Sequence, residues 1–168
     1  MPPRLDIIVN RSAGVTRAVV APETAGNIFA GQGAIMDLGA DSEALTKARA
    51  FQFVELGENG AASAGGSRSS AHLLFRAMFR EAQDFATGRD AFDDGLLRAE
   101  DAKVLQSVLR GEQRLLVRAE AANDILRVLE LKRDYPAIKM VLVGASEGWR
   151  VADRIAASGV PVIASALT

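Results

Sequence analysis

The sequence predicts an α/β protein built from parallel βαβ units, and two features of its last third carry that prediction. Three apolar runs, Arg114–Val117, Lys139–Val143 and Val160–Ala164, alternate with two amphipathic stretches, Ala121–Arg133 and Ser146–Ser158. The runs begin 25 and then 21 positions apart. Near-continuous apolar strands, each followed by a helix at that spacing, pair in parallel and are buried on both faces. Right-handed crossovers follow. An open doubly wound sheet and a closed barrel both satisfy the pattern, and periodicity does not choose between them.

The helical assignments rest on spacing and stop signals. Ile125, Val128 and Leu129 line one face of the first helix, while Ser146 caps the second and Gly159 stops it. Upstream, Leu5–Ala13 reads as a helix ended by Gly14, and Val15–Ala21 as a β-branched strand ended by Pro22. Glu23–Gly33 reads as a loop of small residues and Ala34–Leu38 as a short strand. Asp41 and Ser42 offer a cap for a helix through about Ala50. Gly57–Ser70 is rich in Gly, Ser and Ala and predicts a mobile loop, with Ser69 or Ser70 capping the helix after it. That helix, about Ala71–Ala86, places Leu74, Phe75, Met78, Phe79, Ala82 and Phe85 on one side. After a polar turn over Thr87–Asp94, Glu100–Arg110 repeats the pattern, and Gly111 stops it.

Composition removes several classes of function. With 20 basic against 21 acidic residues, the chain lacks the basic surplus that nucleic acid or an anionic membrane surface favours. The absence of cysteine excludes disulfides, thiolate nucleophiles and thiolate-held metal. The first residues hold no long apolar stretch, so no secretory signal is expected. No apolar run approaches the ~18 residues of a membrane span. The compartment stays open. A length of 168 residues fits one domain, 1–168, with a helical segment over 41–111 that includes the loop 57–70, and a βαβαβ unit over 114–168. The chain stops just after a strand with no covering helix, so a partial domain is expected, with exposed strand edges that invite homo-oligomers.

Three stretches together resemble imidazolonepropionase-like amidohydrolases. Ala13–Leu38 (AGVTRAVVAPETAGNIFAGQGAIMDL) is similar to the family's "GVTTV…GGQGA" segment. Ala64–Ala86 is similar to an insertion that reads "GGSR" before a helix. Val104–Ala164 is similar to the mid-barrel region through Asn123-Asp124-Ile125, the run Glu147–Asp153 and the run Gly159–Val162. The resemblance covers most of the chain. It implies a partial TIM-type (β/α) barrel with a helical insertion, in a parent that hydrolyses C–N bonds other than ordinary peptide bonds through water activated by zinc or another divalent metal.

The departures from the family pattern concern that metal. Where the family carries a His-x-His-like motif at a strand end, this chain reads Arg118-Ala119-Glu120; where the next strand ends in histidine, it reads Gly144. A catalytic metal needs about three protein ligands and an open position. Glycine offers no ligand side chain, and arginine is a permanent cation. No cofactor is therefore expected in this chain. Hydrolysis by the isolated chain is not expected either.

Arg118 and Glu120, two apart on one strand, face a barrel mouth either as substrate-contacting groups or as a salt bridge. Glu120 is the remaining candidate base. Gly144, Ser146, Glu147 and Asp124 are candidate ligand-binding residues, because strand ends that run into helix N-termini present free N–H groups to anions. Each also has a plain structural role as turn, cap or first-turn acid. Trp149 reads as core, and His72, the one histidine, reads as structural. Gly31-Gln32-Gly33 and Gly65-Gly66-Ser67-Arg68 lack the full dinucleotide and phosphate-loop patterns. The rival to an amidohydrolase segment is a metal-free barrel scaffold that binds a small anionic or zwitterionic ligand. An open flavodoxin-like nucleotide module has its glycines in the wrong places.

Overall fold

The computed structural model describes residues 5–24, 26–39, 44–88 and 95–164. In chain order these form α1 (Leu5–Ser12), β1 (Arg17–Val20), β2 (Phe29–Asp37), β3 (Leu45–Glu55), α2 (Glu58–Ser63), α3 (Arg68–Ala86) and α4 (Ala99–Leu109). Then come β4 (Arg114–Ala119), α5 (Ala122–Asp134), β5 (Lys139–Gly144), a 3-10 turn (Gly148–Val151), α6 (Ala152–Ser158) and β6 (Val162–Ala164).

The described strands form one six-stranded sheet in sequence order, curled into a half-barrel. β1, β2 and β3 pair antiparallel, whereas β3, β4, β5 and β6 pair in parallel. The parallel half begins one strand earlier than the apolar runs indicate. Leu45–Glu55, whose first residues read as a helix, is the longest described strand. Its early residues Lys47-Ala48-Arg49-Ala50 carry little β-propensity, but Phe51–Glu55 is buried between β2 and β4. Ladder pairing on both sides overrides local preference there. Asp41 and Ser42, the expected cap, lie outside the described residues, as does part of the turn over 87–94.

Two other expectations are corrected. The glycine-rich stretch 57–70 contains α2 and the start of α3, which is capped by Ser67, whose Oγ accepts from the Ser70 amide at 3.5 Å. Its small residues serve close packing: a Cβ on Gly60 would overlap the Glu55 carbonyl. The stretch Glu23–Gly33, read as a loop, already enters β2 at Phe29. Gly33 pairs with Phe51, whose ring fills the space a side chain at 33 would take. The Gly31-Gln32-Gly33 run is therefore strand, with the second glycine making room for an aromatic neighbour.

The sheet has two unequal faces. On the convex face, Val54, Leu115, Val117, Met140 and Leu142 pack against α3, α4 and α5 through Phe75, Met78, Phe79, Leu105, Val108, Ile125 and Val128. Phe75 and Phe79 stack with centroids 4.3 Å apart, and Phe29 stacks on Phe75 at 5.6 Å. On the concave face, Phe51, Phe53 and Leu116 form a small separate cluster, with Val141 and Val143 beside it. The strands at the edge are less covered than expected of parallel strands, because all of β6 is exposed. Trp149, expected in the core, is 79% exposed, since only Gly148 of the 3-10 turn is buried.

Candidate functional site at the strand ends

Parallel register brings the polar residues together. Glu55 of β3 lies opposite Arg118 of β4, and Arg118 opposite Val143 of β5. Two residues back along each strand, Phe53 and Leu116 pair and floor the concave face. Glu55, Arg118 and Glu120 thus gather at the C-terminal ends of the parallel strands, the edge at which barrel chemistry sits. A cavity of about 250 Å³ opens there, lined by Glu55, Leu56, Glu58, Asn59, Arg118, Glu120, Ala121, Asp124, Ser146 and Glu147. Five of the six candidate residues read from the sequence, namely Arg118, Glu120, Asp124, Ser146 and Glu147, share this cavity. Gly144 lies directly beneath Glu120.

Arg118 is the centre of the arrangement. Its Nη1 is 3.5 Å from Glu55 Oε1, and its Nε donates to Glu120 Oε1 at 3.2 Å. Glu55 is buried, with its side chain 10% exposed, and accepts a further hydrogen bond from Thr24 Oγ1 at 3.2 Å. Glu120 accepts from both the amide and the hydroxyl of Ser146, at 3.1 and 2.6 Å. The result is a continuous chain, Thr24–Glu55–Arg118–Glu120–Ser146, that ties together three strand ends and the loop before β2.

That chain explains two sequence features. The turn Gly144–Ser146 does hold an anion, and the anion is the protein's own Glu120 carboxylate. Gly144 has φ +88°, and a Cβ built there would overlap that carboxylate. Burial alone would raise the Glu120 pKa. The hydrogen bonds from the Ser146 hydroxyl and amide, and the donor and charge of Arg118, outweigh burial and hold it below the ordinary value. Glu120 is thus a fixed anion, poorly suited to act as a base near neutral pH.

The neighbouring acids have structural partners as well. Glu147 does not cap its own helix: its Oε2 accepts from the Ala122 amide at 2.8 Å, at the start of α5. Ser146, expected as that cap, is committed to Glu120. Asp124, in the first turn of α5, meets Arg68 of α3 at 3.4 Å and His72 Nε2 at 3.7 Å. The His72 Nε2 is buried with no hydrogen-bond partner. Burial lowers the His72 pKa, as do the charges of Arg127 and Arg76, against an opposing pull from Asp124.

Glu55, Glu58, Asn59 and Thr24 belong to the site and escape sequence reasoning. The signal that points to Glu55 is its place as the polar end of the apolar run Phe51–Glu55.

The space a side chain at 144 would take is filled by the Glu120 carboxylate, and a guanidinium stands between Glu55 and Glu120. Among the described residues, no group of three His, Cys, Asp or Glu side chains is placed to hold a metal ion. No described helix is long and apolar enough to cross a membrane.

A half-barrel with a polar mouth at its strand C-termini defines a class of architecture that the comparison with solved structures makes specific. The crystal structure of an amidohydrolase from Thermotoga maritima MSB8 matches 92% of this chain with a TM-score of 0.78 and 20% sequence identity. The likeness is one of fold. This chain spans 43% of that protein. No protein-family model and no curated protein matches the sequence.

Proposed function

We propose that this chain supplies the strand-end mouth of an amidohydrolase-type barrel, of imidazolonepropionase-like ancestry, in which ion pairs stand in place of the metal and the cavity binds a small zwitterionic ligand. The observation that carries the proposal is the position of Arg118 between Glu55 and Glu120, with Glu120 seated over Gly144. Arg118 is 43% exposed, so part of its fork faces the cavity and can receive a ligand carboxylate. The carboxylates of Glu58, Asp124 and Glu147 in the same lining favour an ammonium at the other end. A purely anionic ligand would face that acidic lining with one guanidinium in its favour. A volume of about 250 Å³ suits a molecule of amino-acid size.

A thermal-shift screen of amino acids, short dipeptides and dicarboxylates tests this. Amino-acid-sized zwitterions raise the melting temperature, and Arg118→Ala removes the response. A flat result across the panel refutes the binding reading. A second reading, hydrolysis of C–N bonds in a longer parent with metal ligands outside this chain, is favoured by the fold of the Thermotoga protein. Zinc-dependent turnover of cyclic amides or dipeptides by the longer protein that contains this chain would support it against the metal-free reading.

A further inference from the structure

We infer that Glu58 is the specificity-determining residue of this mouth: it receives the ligand's ammonium, and so makes a neutral amino acid a better ligand than the same carboxylic acid without its amine. The inference deepens the zwitterion reading above and rests on it. Five carboxylates line the cavity, and four are already committed within the protein. Glu55 is held by Thr24 and Arg118, and Glu120 by Arg118 and both donors of Ser146. Asp124 meets Arg68 at 3.4 Å and His72 at 3.7 Å, both on α3. Glu147 accepts from the Ala122 amide at 2.8 Å and meets Arg150 Nη1 at 3.4 Å. Glu58, in the first turn of α2, is exposed and has no hydrogen bond or ion pair among the described residues. A committed carboxylate must give up a partner to accept a ligand, which cancels most of the gain; an uncommitted one exchanges only water. Arg118 offers the matching half, because its Nε donates to Glu120 and its Nη1 lies near Glu55, while its Nη2 donates to no described residue. A ligand therefore meets one open donor edge and one open carboxylate in the same lining. Leu56 and Ala121, also in the lining, suit an apolar side chain between the two.

The test measures dissociation constants for leucine and for 4-methylpentanoate, which is leucine without its amine, by isothermal titration of the wild type, Glu58→Gln and Glu58→Asp. Glu58 is exposed, so both variants are expected to fold, and thermal unfolding checks that they do. The wild type is expected to prefer leucine by about three- to fivefold, the size of an exposed ion pair, and to lose part of that preference at high salt. Glu58→Gln is expected to bring the ratio close to one and to remove its salt dependence, whereas Glu58→Asp keeps part of the preference. A ratio in Glu58→Gln equal to that of the wild type overturns this inference and leaves the zwitterion reading standing. A wild-type chain that binds neither compound, or both equally, overturns both.

Discussion

Replacing Gly144 with alanine probes the interlock that defines the mouth. Gly144 has φ +88°, so a side chain there incurs backbone strain of roughly 1–3 kcal/mol. Its Cβ would also enter the space of the Glu120 carboxylate, displacing it from Ser146 and Arg118. Hydrogen bonds of this kind are each worth about 1 kcal/mol net. The Glu120 side chain is 42% exposed, so screening trims that contribution. The two effects together place Gly144→Ala at about 2–4 kcal/mol of destabilisation, or on the order of 4–16 °C in melting temperature for a chain of this size. In a Glu120→Ala background the clash is gone and only the strain remains. Denaturant unfolding of the wild type, both single variants and the double variant should therefore give a coupling of about 1–2 kcal/mol, whereas independent sites add within ~0.5 kcal/mol. Additivity would refute the claim that Glu120 occupies the side-chain space of position 144.

Other outcomes follow from the same structure. His72 has a folded pKa below its ordinary 6.5, so the native chain binds fewer protons than the unfolded chain as pH falls through that value. Stability from this group is therefore complete above pH 6.5 and declines below it, and His72→Gln should show a shallower acid decline in thermal unfolding. An identical pH profile for the two proteins would remove His72 from the account. Phe75→Ala, at a fully buried position stacked on Phe79, should cost about 3–5 kcal/mol in denaturant unfolding. Glu147→Ala should cost about 1 kcal/mol by uncapping α5, a loss that Glu147→Gln recovers in part. We further propose that exposed β6 mediates self-association; multi-angle light scattering should find dimers or larger species, and a monomer at high concentration contradicts that.

β4, α5 and β5 were legible because the strands are short apolar runs and the helix carries a clean stripe, so local pattern and tertiary environment agree; α6 and β6 follow in the expected order, but α6 is short and buries no residue and β6 is exposed. Leu45–Glu55 was not legible for the opposite reason. Its first half favours a helix, and only pairing with β2 and β4, which the sequence does not display, makes it a strand. Arg118, Glu120, Asp124, Ser146 and Glu147 could be named because strand-to-helix junctions mark the mouth of a parallel sheet. Their roles could not be assigned from spacing. Which carboxylate Ser146 would hold, and that Glu147 would cap α5 instead of its own helix, depend on distances across the sheet. Trp149 misleads because residue type suggests burial, while a tight 3-10 turn directs the ring to solvent.

The most direct test of the account is the titration of the Glu120 carboxyl, followed by carbon-detected NMR. A midpoint below the ordinary 4.5 is predicted, moving upward in Ser146→Ala and in Arg118→Met. A midpoint at or above the ordinary value, indifferent to both substitutions, would show that Glu120 is not the fixed anion around which this mouth is built.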